Sequence, residues 1–297
     1  MTRRLVLALL VFVAAITASV VGYHVSRNDT NQESYFGDFD NPDRVEATVW
    51  ISHVDPTLQT LSMTVTEIQP VGKYSDEGSF ADDAALTLNS IGEWRFAIDG
   101  GDSADDDLVK TGITGWVADY PFDHYIANIS LTLTGADGKD IPTAITVFNS
   151  DAFYQIETAQ ADSPDGGTLI NLSIRRTTST LVFGIFIMVL MLALAAASAV
   201  AAYYVLHWKR GLDLTACSLM AGMLFALIPL RNAVPGDPPI GSIIDFGSFF
   251  IAEATIAISL ILCVVLGYRQ QRKADEISAG LSPVSPVVSE DAASVPE

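Results

Sequence analysis

The sequence predicts an integral membrane protein built from an exported all-β, sandwich-like domain and an α-helical transmembrane region of three to four helices. Three observations predict it. Four apolar runs, residues 5–23, 181–206, 212–230 and 243–268, each approach or exceed the roughly 20 residues that a helix needs to cross a bilayer. Residues 24–177, between the first and second runs, are polar and acidic, with 26 Asp and Glu against 8 Lys and Arg. Within that stretch apolar residues recur at period two, as half-buried strands require.

The first run, in a segment over residues 1–23, is a signal anchor or a signal peptide. Arg3 and Arg4 supply a basic n-region, and Val20-Val21-Gly22 is a passable cleavage site. The apolar run is longer than a usual signal peptide's and lacks an Ala-x-Ala, which favours the uncleaved anchor.

Residues 24–177 form the exported domain. Val45, Ala47, Val49 and Ile51 alternate with polar neighbours, as do Leu61, Met63 and Val65. The same pattern returns at Trp94, Phe96 and Ile98, at Ile129, Leu131 and Leu133, and at Ile170, Leu172 and Ile174. Turn signals separate them: Asp55-Pro56, Pro70-Val71-Gly72, Asp99-Gly100-Gly101, Ala136-Asp137-Gly138 and the Pro-Asp-Gly-Gly of residues 164–167. Asp137-Gly138 predicts a tight hairpin. Short strands at this spacing read as an antiparallel sandwich. Asn28, Asn128 and Asn171 begin glycosylation sequons, which matter only in a eukaryotic secretory pathway.

The chain's net charge is −19, nearly all of it in this domain. Such a surface repels phosphate backbones, so nucleic acid is excluded as a partner. Asp99, Asp102, Asp105, Asp106 and Asp107 crowd one glycine-containing loop, a candidate calcium site whose spacing is not that of an EF-hand. A solvated acidic loop is the simpler reading. Tyr120-Pro121-Phe122-Asp123 resembles the aromatic-Pro-Phe-Asp turn of pentameric ligand-gated channels, which place four helices after a sandwich; here three follow. The structural reading is a buried aromatic turn with Asp123 bonded to backbone. Arg175 and Arg176 then lead into the second run, where they are expected at the head groups.

Residues 178–268 form the helical region, with spans near 181–206, 212–230 and 243–268. Ala193, Ala195, Ala196, Ala197, Ser198, Ala199, Ala201 and Ala202 in the second run, and Gly222 and Ala226 in the third, suit close helix approach in lipid. Asp213 suits the start of its helix. Between the last two runs, Arg231, Asn232, Pro235, Gly236, Pro238 and Pro239 form a stiff turn followed by Asp245. An ion pair from Arg231 to Asp237 or Asp245 would lock it. Glu253 follows Asp245 by about 12 Å of helix and is the candidate intramembrane acid. Cys217 and Cys263 fall in predicted spans, which points to buried thiols rather than a disulfide. Residues 269–297 form a polar tail expected to be disordered from Ala274 onward.

Arg3, Arg4, Lys209, Arg210, Arg269, Arg272 and Lys273 all fall on one side if both termini are cytoplasmic, against Arg175, Arg176 and Arg231 on the other. The positive-inside rule then puts the acidic domain outside a multi-pass cell-membrane protein.

The loop Arg231-Asn232-x-x-Pro235-Gly236-x-Pro238-Pro239-x-Gly241 with Asp245, together with Tyr120-Pro121-Phe122-Asp123, resembles a family of actinobacterial membrane proteins classed under domain of unknown function 4436. The resemblance covers residues 45–268. It implies an envelope membrane protein of this topology and brings no activity, cofactor or catalytic residue.

The four histidines are scattered, and neither Gly-x-Ser-x-Gly, His-Glu-x-x-His nor a phosphate loop occurs. The expectation is therefore a non-catalytic envelope protein without a cofactor, whose β domain binds or organises another envelope component or a second copy, with the lipid bilayer as its other partner. The alternative is a channel or transporter subunit with Glu253 in the membrane path. An enzyme with paired carboxylates hidden in the fold comes third.

Overall fold

The computed structural model describes residues 33–104, 106–161, 167–208 and 212–280, with Thr17 and Gly22 ahead of them. The expected first span, the Asn28 sequon, Lys209 and Arg210, Asp105 and residues 281–297 lie outside the described residues. The chain divides into two compact units: Met1–Val189 with Arg231–Ser248, and Leu190–Leu230 with Phe249–Glu297.

The first unit is β-rich. Its strands are β1 (Glu33–Phe36), β2 (Arg44–Asp55), β3 (Thr60–Val71), β4 (Ser75–Asp76), β5 (Ser79–Phe80), β6 (Ala84–Ser90) and β7 (Gly92–Ile98). They continue with β8 (Asp107–Gly112), β9 (Thr114–Gly115), β10 (His124–Gly135), β11 (Thr143–Asn149), β12 (Tyr154–Ala161) and β13 (Thr168–Arg176). One sheet runs β1-β11-β2-β3-β8, and the other β12-β13-β10-β6-β7 with β9 beside β10. Val45, Val49, Ile51, Leu61, Met63 and Val65 from the first sheet share one core with Leu86, Ile129, Leu131, Ile170, Leu172 and Ile174 from the second. The expected alternation holds because each strand has one face in that core.

The structure departs from the expected pattern in three places. β11 pairs with β2 in parallel, from Thr143 opposite Val45 to Asn149 opposite Ile51, so the sandwich is mixed rather than wholly antiparallel. The turn at Asp137-Gly138 is tight, with Gly138 at φ 75°, and the hairpin it closes is only one bridge long, Thr134 opposite Asp140. The chain folds back only as far as Ile141, whose amide reaches the Leu133 carbonyl, and then crosses to the other sheet as β11. Pro70 lies within β3, opposite Val45; the turn begins at Gly72. A bulge at Glu67, φ 51°, shifts the phase of β3, so Ile68 rather than residue 67 continues the buried series.

Among the described residues, three helices are long and apolar enough to cross a membrane: Thr178–His207, Leu214–Asn232 and Asp245–Ser278. We label the α-helices α1 (Thr178–His207), α2 (Leu214–Asn232) and α3 (Phe250–Gly280); a π-helical turn, Asp245–Phe249, precedes α3. The stretch expected to form the tail begins as helix. Residues 269–280 continue α3, with Arg272 and Glu276 paired one turn apart at 2.9 Å.

In the second unit each helix buries a narrow stripe. Met191, Ala195, Ser198, Ala202 and Val205 form that of α1, and Ala252, Ile256, Ser259 and Cys263 that of α3. Steps of three and four residues keep such a stripe on one helix face. Cys217, Met220 and Leu227 are buried on α2, and both cysteines are free thiols. Gly222 and Ala226 lie on the side of α2 that faces away from the rest of this chain. Both are exposed, and nothing lies within 4 Å of where a Gly222 side chain would begin. The Asp213 carboxylate caps α2, accepting from the amides of Thr215 (3.0 Å) and Ala216 (3.2 Å).

Candidate functional site

Strand register assembles a buried polar cluster at one end of the first unit. β13 lies between β10 and β12, with Arg175 opposite His124 and Arg176 opposite Tyr154. Asp123 immediately precedes β10, so its carboxylate meets Arg176 at the sheet's end. Arg176 Nε donates to both Asp123 oxygens at 3.1 and 3.0 Å. Nη2 also lies 3.0 Å from Oδ2, without the alignment of a hydrogen bond. The Tyr125 hydroxyl donates to Asp123 Oδ2 at 2.8 Å. The guanidinium stands over the rings of Tyr154 (4.3 Å) and Tyr120 (4.9 Å). All five side chains are buried.

Burial is the largest influence on Arg176 and opposes its charge, but the bond to Asp123 together with the electrostatic pull of Tyr154, Asp123 and Tyr120 outweighs it, and the guanidinium is held more firmly protonated. Burial pushes the Tyr120 phenol up to about 12, with Arg176 pulling it down and Asp123 adding to the rise. Burial and then Asp123 push Tyr125 up further; Tyr154 rises through burial, against the pull of Arg176. Among the described residues, the Tyr120 and Tyr154 hydroxyls and Arg176 Nη1 have no hydrogen-bond partner.

The cluster is enclosed by backbone. The Tyr120–Pro121 peptide is cis, and a short 3₁₀ turn, Val117–Asp119, leads into it. A side chain on Gly184, in the first turns of α1, would begin 3.1 Å from Pro121 Cβ, so glycine lets the Tyr-Pro-Phe-Asp turn lie against the helix. A side chain on Gly236, at φ 80°, would overlap Arg176 Nη1 outright. The proline-rich loop therefore rests its glycine on the guanidinium. The strand-to-helix step is equally fixed. The Thr177 amide donates to the Phe153 carbonyl (3.0 Å) and the Leu181 amide to the Thr177 carbonyl (3.0 Å), while the Thr177 and Thr180 hydroxyls meet at 2.9 Å. Asp151, also buried, accepts from the amides of Val54 and Phe153 at 2.9 Å each.

These contacts correct two expectations. Arg175 is exposed as expected, but Arg176 is buried and paired instead of reaching the head groups. Asp123 is bonded to the side chains of Arg176 and Tyr125, not to backbone. Sequence reasoning misplaced Arg176 and overlooked Tyr125, Tyr154, Asp151 and Gly184. The signal for Arg176 was present: Ile170, Leu172 and Ile174 point inward, and period two carries the next inward position to residue 176.

The expected ion pair of Arg231 forms with Asp245 rather than Asp237. Arg231 Nε and Nη2 donate to the two Asp245 oxygens at 2.8 and 2.9 Å, a bidentate geometry. Nη2 also donates to the Pro239 carbonyl at 3.1 Å, and the amide of Gly241 donates to Asp245 Oδ2 at 2.7 Å. Pro238 is buried, Pro235 and Pro239 are half-buried, and Asn232 is exposed. Asp237, at φ 40°, is exposed. Glu253 is half-buried in the first turn of α3.

The described carboxylates of the acidic loop are not gathered into one site. Among the described residues no three His, Cys, Asp or Glu side chains are placed to hold a metal ion. Asp107 accepts from Trp94 Nε1 at 2.8 Å, Asp102 and Asp99 are joined through backbone, and Asp106 is exposed. Phe122, alone in its turn, is exposed.

Comparison with known families divides the chain at the cluster. Residues 35–175 match a domain of unknown function (DUF4436), and residues 176–270 match a second domain of unknown function (DUF8686). The proline-rich loop thus falls in the second match rather than the first, and the bond between Asp123 and Arg176 joins the two matched segments. No curated protein matches the chain. The β domain, from residue 35 to the penultimate residue of β13, belongs to the family of domain of unknown function 4436.

Proposed function

We propose that this is a non-catalytic envelope membrane protein whose β domain stands outside the cell membrane and binds or organises another envelope component. The observation that carries the reading is the outer face of the sheet β1-β11-β2-β3-β8. Phe148 and Trp50, opposite each other on β11 and β2, stack at 4.5 Å and 13° on that face. Leu108 on β8 and Tyr35 on β1 extend the row, 58 % and 61 % exposed. Exposed aromatic residues on a fixed sheet are what a protein interface anchors on. The buried Asp123–Arg176 bond supports the same reading, because it holds the sandwich at a set attitude to the start of α1.

The positive charges at the helix ends support cytoplasmic termini, as an uncleaved first span would give. A second reading, a channel or transporter subunit, rests on Glu253, an acid half-buried at the start of an apolar span. Light crosslinking in the native membrane, followed by mass spectrometry, separates the two. The binding reading expects a specific partner crosslinked near Trp50, lost in Trp50→Thr with the domain still folded. A homo-oligomer ladder of fixed size, with no foreign partner and no effect of Trp50→Thr, would discard it in favour of the channel.

A further inference from the structure

Exposed aromatic side chains gather on the β domain beside the start of α1. Trp116 and Phe122 flank the turn that carries Tyr120 and Pro121, and they are 76 % and 55 % exposed. The turn is tightly tied: the Asp119 amide donates to the Trp116 carbonyl, and the Phe122 amide to the Asp119 carbonyl. Phe153 is 43 % exposed, and its carbonyl accepts from the amide of Thr177, immediately ahead of the helix. A soluble domain gains nothing by leaving three large aromatic groups in water at one end, so their surroundings need an explanation.

The contact at Gly184 supplies the depth. Pro121 packs where a Gly184 side chain would begin, six residues into α1, about 9 Å along its axis. The apolar run starts at Leu181, so the turn reaches about 4–5 Å beyond its start. That run, residues 181–206, is about 39 Å long as a helix, longer than the ~30 Å hydrocarbon core and close to the 40–45 Å of core plus interfaces. Leu181 therefore falls in the head-group region, and Gly184 at the boundary with the acyl chains. Phe183 and Phe186 on α1 are exposed at the same level. This is the layer where amphipathic aromatic side chains concentrate in membrane proteins.

We propose that residues 116–122, with Phe153, form a second membrane-contact surface, dipping Trp116 and Phe122 into the interfacial layer of the bilayer that α1 spans. The occupant of this surface is lipid, because the depth is set by the protein's own span. Arg175 and His124, exposed on the adjacent strand ends, then stand at head-group level. The β domain is held both by its helix and by this loop. The proposal needs α1 to cross the membrane and is independent of what the outer sheet face binds.

The test uses the full-length protein in vesicles of phosphatidylcholine and phosphatidylglycerol. Tryptophan emission is compared in plain lipid, in lipid brominated near the head-group end of the acyl chain, and in lipid brominated near the chain terminus. Subtracting the emission of Trp116→Phe isolates the Trp116 component. The proposal expects a blue-shifted component that loses most of its intensity to the shallow bromines and little to the deep ones. A component that emits as in water, or one that is blue-shifted but unaffected by either bromine position, overturns it; the second result would mean cover by protein. Phe122→Trp in the Trp116→Phe background should restore the shallow-quenched signal, so the outcome does not hang on one variant.

Discussion

Replacing Asp123 by Asn keeps the shape of the side chain and removes its charge. Arg176 then remains buried with no counter-ion: the pair is 2 % and 6 % exposed, and no other carboxylate bonds to it among the described residues. Breaking a buried pair by removing one partner costs about 3–5 kcal/mol. The amide oxygen of Asn still accepts one bond, from Tyr125 or Arg176 Nε, so the lower end, about 3 kcal/mol, applies. With a urea slope of about 1–3 kcal/mol/M, the unfolding midpoint of the β domain should fall by about 1–3 M. Emission from Trp50 and Trp94, both in that domain, reports the transition in detergent. Arg176→Met in the same background should recover part of the loss, since it removes the orphaned charge. A midpoint within about 0.3 M of wild type for Asp123→Asn, or a double variant no better than the worse single one, would refute the assignment of this pair as the fixed point of the joint.

Gly236→Ala should destabilise more than Gly138→Ala, because both glycines have positive φ but only the first would press a methyl onto Arg176. The excess, about 1–3 kcal/mol by urea unfolding, should disappear when Arg176 is replaced by Met. Stability should fall at high pH. An unfolded tyrosine ionises near 10 and Tyr120 near 12, so the folded state holds its proton longer; its contribution is complete below pH 10 and lost between pH 10 and 12. A rise from about 10 to about 12 corresponds to roughly 3 kcal/mol at most for this group. Urea midpoints measured across that window should fall steeply, and Tyr120→Phe should flatten part of the fall.

Much of this architecture is legible in the sequence because burial leaves period-two and long-run signatures. Val45, Val49, Leu61, Leu131 and Leu172 all face the core as alternation requires, and the three described spans follow their apolar runs. What the sequence hides is pairing between distant segments. Nothing local shows that the hairpin at Gly138 stops after one bridge and that the chain then pairs with β2 in parallel as β11. Arg231 and Asp245 are readable as a pair because a short rigid loop separates them. Asp123 and Arg176 are 53 residues apart, and the charge of Arg176 argues for the surface unless its inward phase on β13 is given priority. Gly184 looks like an ordinary small residue of an apolar helix until Pro121 is seen against it.

That the β domain continues into α1 through a rigid joint is tested most directly by hydrogen exchange of the backbone amides of Thr177 and Leu181 in the full-length protein. Both amides are bonded across the step from strand to helix. A rigid joint predicts that they exchange as slowly as the core amides of β10 and β13, and that Asp123→Asn speeds both. Fast exchange at residues 177–181 in the wild type, beside slow exchange in the strands, would show a hinge there and contradict it.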